Sequence, residues 1–390
     1  MSAPAPAPAP APVVATVGRA VTRMSLSDAL ALGPHSWDEI EAQAEARSPF
    51  MSWAWHRAWA DADPDAAAAE ALVLRSGGGG GHTVQAIMPL LSRHIRFHRV
   101  PVRALTWAIG DLGCPDHLDV LATRGADVAA LVPLLEELEW DVIVLSNLAP
   151  NAPAAGRLAQ ALAAHGHVTQ RQPLWLCPYL DLAGDWETYL KSVSRNRRQA
   201  LRYMEKNLRR HHAVLITDYD GERVAEGWRR LVTLHEQRWA DGGGGGLGAF
   251  RDPRVERLHR RFTAELAGRG QLWLTTLDLD GEPAAAWYGF THGDTAYFYQ
   301  SGRDPRWERE SVGQVLLALM IRRAMERGFK RFDLLRGDDP YKRLWTTTGR
   351  TTEEITVFRR GFRGRWLRGV EALAGLRSRL RNNGGGRRRV

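Results

Sequence analysis

The sequence predicts an α+β protein made of two mixed-sheet halves, and three observations carry that prediction. A chain of 390 residues is too long for one ordinary hydrophobic core and implies two domains. Between Ala213 and Leu335 the apolar pattern changes in the order strand, helix, helix, three strands, helix, strand. A looser version of that order precedes it. No exact repeat is present, so the pairing of two halves rests on element order alone.

Composition bounds the class. A hydrophobic content of 44% and a charged content of 25% are those of a soluble globular chain. Two cysteines, Cys114 and Cys177, cannot staple a fold of this size and suit a reducing, cytoplasmic setting. No run of about 18 apolar residues occurs, so no spanning helix is expected. The net charge of +9 belongs to the C-terminus. From Arg359 to Val390 there are 11 arginines and one acid, Glu371. Removing these from the 53 basic and 44 acidic residues leaves 42 against 43, a neutral body. Nucleic-acid binding is therefore not expected of the body, and the tail is short for it.

In chain order, Ala3–Pro12 alternates Ala and Pro and reads as an extended arm. Residues 1–20 are excluded from the fold. No basic start with an apolar core marks a secretory signal. Residues 21–182 form the first half. Ser36 is a possible N-cap, Ser48-Pro49-Phe50 leads to a helix carrying Trp55 and Trp59, and residues 70–75 and 83–91 form a hairpin across a glycine run. Strands follow near 104–109, 118–121 and 141–145, with helices at 128–138 and 154–165. Residues 183–360 form the second half. Its helix 193–210 carries Arg195, Arg198, Arg202, Lys206 and Arg209 on one face, with Leu201, Met204 and Leu208 on another. Residues 361–390 form a basic helix and tail.

The second half is organised around Glu308–Arg350. A small-residue loop containing Ser311, Val312, Gly313 and Gln314 leads into a helix at 315–327, stopped by Gly328. A buried strand at 329–335 follows, then a charged turn with Tyr341 and Lys342.

These residues resemble a known family. Ser194-Arg195-Asn196-Arg197-Arg198, His235-Glu236-Gln237-Arg238-Trp239, the turn Asp280-Gly281-Glu282-Pro283, Tyr299-Gln300-Ser301-Gly302, and Phe332-Asp333-Leu334-Leu335-Arg336-Gly337 with Tyr341-Lys342 resemble the CelD-like, cellulose-biosynthesis-type acetyltransferases of the GNAT superfamily. The resemblance spans nearly all of residues 45–360. It implies the acyl-CoA N-acyltransferase fold in two tandem halves, an arrangement similar to the Fem-type transferases. It also implies acyl transfer, with acetyl-CoA or another acyl-CoA as co-substrate, to an amine or hydroxyl of a polysaccharide- or envelope-related, sugar-type or small-molecule acceptor. The residues implied for the cofactor are Ser311, Val312, Gly313 and Gln314, with Arg195 and Arg198 for its phosphates. Those implied for catalysis are Tyr341 as the acid for the thiolate, Lys342, and Asp333, Asp338 or His235 as the base. The oxyanion donors would lie on Thr295–Ser301.

The sequence departs from the superfamily's phosphate loop. Of its pattern only Gly313 is kept, with Glu308 and Ser311 at the other positions. A helix N-terminus still offers backbone N–H groups to a pyrophosphate. Each residue also has a plain structural alternative: a turn glycine, a boundary aromatic, a solvated basic face, a core histidine. Asp116-His117-Leu118-Asp119 lacks ligand spacing, so no metal is expected. Two other functions remain open from the residues: a Fem-type aminoacyl-tRNA-dependent transferase, and a cofactor-free binding module. The tail segment 361–381 places Phe362, Trp366, Val370, Leu373, Leu376 and Leu380 near one face. That pattern fits either packing on the body or peripheral contact with an anionic membrane.

Overall fold

The computed structural model describes residues 13–16, 19–78, 81–109, 112–240 and 248–384. Its contacts divide the chain into two units. One runs up to Leu174 and resumes at Thr352; the other spans Trp175–Thr351.

The first unit opens with β1 (Val13–Thr16) and β2 (Arg19–Ser25), paired antiparallel with Val13 opposite Thr22. The excluded arm is thus too long by its last residues. Once the prolines end at Pro12, the β-branched Val13, Val14 and Thr16 suit an edge strand. Residues 1–12 lie outside the described residues. Ser25 caps α1 (Leu26–Ala31) by accepting the Asp28 N–H. Then come α2 (Gly33–Gln43) and α3 (Trp53–Ala62), the latter capped by Ser52. Trp37, Trp55 and Trp59 are almost fully buried between these helices and the sheet, each contributing about 1.5–3 kcal/mol by burial. An antiparallel meander follows: β3 (Glu70–Gly78), β4 (Gly81–Phe97) and β5 (Val100–Trp107). The expected hairpin is present with longer arms. Short β6 (Leu121–Ala122) pairs with β4. After α4 (Val132–Glu137), β7 (Val142–Leu148) returns parallel to β5 over only three residue pairs, Ala104–Val142 to Thr106–Val144. In α5 (Pro153–Ala164) the first N–H groups are capped from a distance. Asp119 accepts from Ala154 and Ala155 at 3.1 and 2.6 Å, so this member of the Asp-His-Leu-Asp run serves as a helix cap.

The second unit takes residues 175–181 of β8 (Val168–Asp181). It continues with α6 (Trp186–Ser192), α7 (Arg195–His211), β9 (Val214–Asp218), α8 (Val224–Ala240) and α9 (Pro253–Gly268). A second meander follows, β10 (Leu272–Leu279), β11 (Glu282–His292) and β12 (Thr295–Arg303), with β9 on its outer edge. After α10 (Val312–Glu326), β13 (Arg331–Asp333) pairs parallel to β12, again over three residue pairs, and antiparallel to β8. The short α11 (Pro340–Arg343) interrupts the charged turn. The two units therefore repeat one plan: a meander, a helix, then a short parallel pairing. They differ at the helix, which has 6 residues in α4 and 15 in α10.

The chain ends in the first unit. β14 (Gly349–Phe358) pairs antiparallel with β7, Phe358 opposite Val142, and α12 (Phe362–Gly384) follows. The expected division into residues 21–182 and 183–360 accordingly differs from the observed units, because residues 352–358 complete the sheet begun by β7. The last six residues of the tail lie outside the described residues.

Candidate active site

The site is made by the parting of two strands. β12 pairs with β13 only from Thr295 to Tyr297; from Phe298 onward it keeps β11 alone as neighbour. The β11–β12 register shifts between Tyr288–Gln300 and Gly289–Phe298, so Tyr299 is an extra residue, a β-bulge. Strand alternation sends neighbouring rings to opposite faces. Tyr299 packs against His259 and Tyr288 at 4.5 and 5.4 Å. Phe298 stacks on Trp287 at 5.9 Å. Two glycines permit this crowding. A Cβ at Gly289 would lie 2.2 Å from the Tyr297 carbonyl oxygen, and one at Gly302 would lie 2.4 Å from the His235 nitrogen.

A cavity of about 420 Å³ lies beside the stretch of β12 that has left β13. Trp287, Phe298, Ser301 and Arg303 line it from the sheet, Ser311, Gly313, Gln314 and Leu317 from the start of α10, Glu308 from the preceding turn, Tyr341 from α11 and Arg238 from α8. The Trp287 indole N–H is buried and has no hydrogen-bond partner among the described residues.

At the head of α10, Ser311 holds a left-handed conformation (φ 53°, ψ 34°) and makes no side-chain cap. This costs a non-glycine residue about 1–2 kcal/mol. Its carbonyl accepts from the N–H groups of Gln314 and Val315 at 2.9 and 3.1 Å. The N–H groups of Val312 and Gly313 precede the first intrahelical bonds and carry the positive end of the helix. The expected loop residues Val312–Gln314 are thus the first turn of the helix. The Val312 side chain is buried in the core, so only its backbone faces this end. Beyond its chain neighbours and its own helix backbone, a Cβ on Gly313 would meet nothing among the described residues within 4 Å.

The basic helix α7 reaches this end through Arg197, which lies off the expected basic face. Arg197 donates to Gln314 Oε1 at 3.0 Å and lies over the Trp345 ring at 4.7 Å. Arg195 is exposed, Arg198 donates to the Leu190 carbonyl at 3.3 Å, and neither lines the cavity. The signal was present: Arg197, Leu201, Met204 and Leu208 are spaced by four, three and four, so Arg197 heads the buried stripe.

Of the residues implied for catalysis, Tyr341 alone lines the cavity. Burial, then the nearby Asp339 carboxylate, raises its phenol well above the ordinary range, against the opposing charge of Arg238. It stays protonated at neutral pH. The neighbouring Lys342 turns inward, donating to the carbonyls of Leu335 and Arg336 at 3.3 and 2.6 Å and pairing with Asp339 at 3.5 Å. It closes the turn that carries Tyr341. Asp333 is fully buried, accepts the Leu335 N–H at 2.8 Å and pairs with Arg350 at 2.6 Å. His235 bonds the Ser301 carbonyl through Nδ1 at 3.0 Å, while its Nε2 accepts the Ala249 N–H at 3.1 Å. Burial lowers its pKa, and this neutral ring ties α8 to β12. Asp338 is paired with Arg343. The carboxylate that does line the cavity is Glu308, 3.4 Å from Arg303.

Residues 195–343 match the acetyltransferase (GNAT) domain family. No curated protein sequence matches the chain. Among solved structures, FemX superposes with a TM-score of 0.56 at 11% identity, covering 83% of this chain and 95% of its own. L-PGS from Bacillus licheniformis gives 0.52 at 9% identity, covering 89% and 97%. The fold is therefore the GNAT fold in a two-half arrangement, with a GNAT acetyltransferase domain in the second unit.

Proposed function

We propose that the second unit transfers an acyl group from an acyl-coenzyme A, acetyl-CoA in the simplest case, to an amine or hydroxyl acceptor. One observation carries this reading: beside the stretch of β12 beyond its pairing with β13 lies a cavity whose walls include both the start of α10 and the Tyr341 side chain. The N–H groups of Val312 and Gly313 suit the pyrophosphate, and the Arg197–Gln314 contact adds positive charge beside it. The thioester then lies along β12, where the bulge at Tyr299 turns backbone donors out of the ladder toward the tetrahedral oxygen. The neutral acceptor attacks the carbonyl carbon; the new bond to nitrogen or oxygen forms as the C=O electrons move to the tetrahedral oxygen, and their return breaks the C–S bond. The departing thiolate takes the Tyr341 phenol proton. Glu308 is placed to accept the proton lost by the acceptor.

A polysaccharide- or envelope-related acceptor follows from the CelD-like resemblance and not from the cavity. An aminoacyl-tRNA donor would draw on the basic face of α7, but there Arg202 is already paired with Glu187 and Arg209 with Glu205. For the tail, Phe362, Trp366 and Leu373 are 80%, 48% and 60% exposed, an arrangement suited to peripheral contact with an anionic bilayer. No helix among the described residues is long and apolar enough to cross a membrane.

Calorimetry with acetyl-CoA tests the donor site. Wild-type protein should bind, and Gly313→Val should bind at least about tenfold more weakly. The space around a Cβ at Gly313 is open, so the substitution acts on the approach of a ligand to the backbone. Equal affinity in a folded variant removes α10 from the donor site; no acyl-CoA binding by the wild type removes the reading itself.

A further inference from the structure

A second cavity in this unit, of about 590 Å³, lies between the start of α7 and the segment that follows α11. Ser194 and Arg197 line it from α7, Tyr189 from α6, and Trp345 and Thr347 from beyond α11. Arg197 is half-buried. Its guanidinium meets two neutral groups, the Gln314 amide oxygen at 3.0 Å and the Trp345 ring at 4.7 Å. Its buried Nε–H has no hydrogen-bond partner among the described residues. Burial lowers its pKa, against an opposing influence from Tyr189. Burial also pushes the Tyr189 phenol up to about 12, so that group is uncharged at neutral pH. Trp345 is 2% exposed, and its indole N–H also lacks a partner among the described residues. Tyr189 fixes this residue by donating to its carbonyl at 3.0 Å. The other charged lining residues are matched, Asp181 to Arg331 at 3.4 Å and Arg343 to Asp338 at 2.6 Å. A half-buried cation left to neutral partners, beside two buried N–H donors, favours an oxyanion.

We propose that this second cavity binds a phosphate monoester, with Arg197 as its cation and the Trp345 indole N–H as a further donor. A phosphate group brings close to two negative charges and three acceptor oxygens. The guanidinium supplies the charge and a fork of N–H donors. Ser194 Oγ accepts the Arg197 N–H at 3.3 Å as the cap of α7, which leaves its hydroxyl proton to donate. Thr347 adds a second hydroxyl, and the start of α7 adds the positive end of a 17-residue helix. Arg197 also joins this cavity to the first, because the Gln314 it bonds lines the other one. Two molecules near that junction could carry the monoester: the donor, through the ribose phosphate of coenzyme A, or a phosphorylated acceptor. The first source rests on the acyl-coenzyme A reading above; the second does not.

Two matched pairs test this by calorimetric titration of the full-length protein: coenzyme A against 3′-dephospho-coenzyme A, and glucosamine 6-phosphate against glucosamine. In at least one pair the phosphorylated member should bind about 30-fold or more tightly, the scale for a partly buried charge pair. A preference in the first pair assigns the monoester to the donor; one in the second assigns it to the acceptor. Arg197→Gln should erase the preference. Arg197→Lys, which keeps the charge without the fork, should retain part of it and guards against a variant that fails to fold. Trp345→Phe keeps a ring under Arg197 and removes the indole N–H, and should reduce the preference about fivefold. Equal binding within both pairs, binding by none of the four compounds, or a preference that survives in Arg197→Gln overturns the proposal. A preference that Arg197→Gln removes and Trp345→Phe leaves intact would place the phosphate at the start of α10 and reject the second cavity. Binding of 3′-dephospho-coenzyme A to the wild type checks the donor reading separately. Its absence would remove that reading and leave the glucosamine pair to decide this one.

Discussion

At the scale of single residues, the site separates groups that face the cavity from groups that hold it in shape. Tyr341 faces it; Lys342, one residue on, spends its ammonium on two carbonyls. Tyr341→Phe keeps the ring against Phe298, 6.4 Å away, and removes the phenol. Turnover at saturating substrates should fall about 10²-fold while acyl-CoA affinity in the calorimeter stays unchanged. An unaltered rate would reduce Tyr341 to packing. Sequence patterning could find Tyr341 because it follows the strand after the helix proposed to face the donor's phosphates. It could not separate Asp333 from a base, because the pairing with Arg350 joins positions whose contact only the folded sheet reveals. His235 was ambiguous for the same reason: its two ring partners, Ser301 and Ala249, lie on other elements. Glu308 and Arg238 were both visible as letters. What made them site residues is the gap between strands, and no local periodicity encodes a gap.

At the scale of elements, α10 and the meander before it were legible because their apolar spacing is local and regular. β13 is shorter than the apolar run that predicts it, because that run continues past Asp333 into a turn where Leu335 takes a positive φ of 55°. The C-terminal helix shows the limit of amphipathic reasoning. Leu367, absent from the expected face, is the residue buried against Val102, Ala104, Val142 and Phe358. Glu371 pairs with His98, and Arg363 with Asp141. The face carrying Phe362, Trp366 and Leu373 is left to solvent among exposed arginines such as Arg365 and Arg368. Full-length protein should therefore co-sediment with anionic vesicles and not with neutral ones, less so at high salt. Replacing Phe362, Trp366 and Leu373 by Ser leaves Leu367 in place and should keep the protein in the supernatant. Pelleting unchanged by that triple substitution would reject membrane contact through α12.

At the scale of the molecule, the two units follow one plan but are not cut from the chain in sequence. Sequence order suggested two consecutive halves, because the pairing of β14 with β7 joins Phe358 to Val142, a contact far too distant along the chain for pattern reading. The return of residues 352–384 to the first unit has a consequence for biogenesis. A ribosome that has finished the second unit has not yet supplied the strand that covers β7, so the segment made first is the last to close. Chains stalled on the ribosome with Thr351 exposed should already protect 175–351 from protease while β7 and its neighbours remain cleavable. Release of the complete chain should then protect both units. Early protection of the first unit in the stalled chain would show that β14 is an addition to a finished sheet, not the strand that completes it.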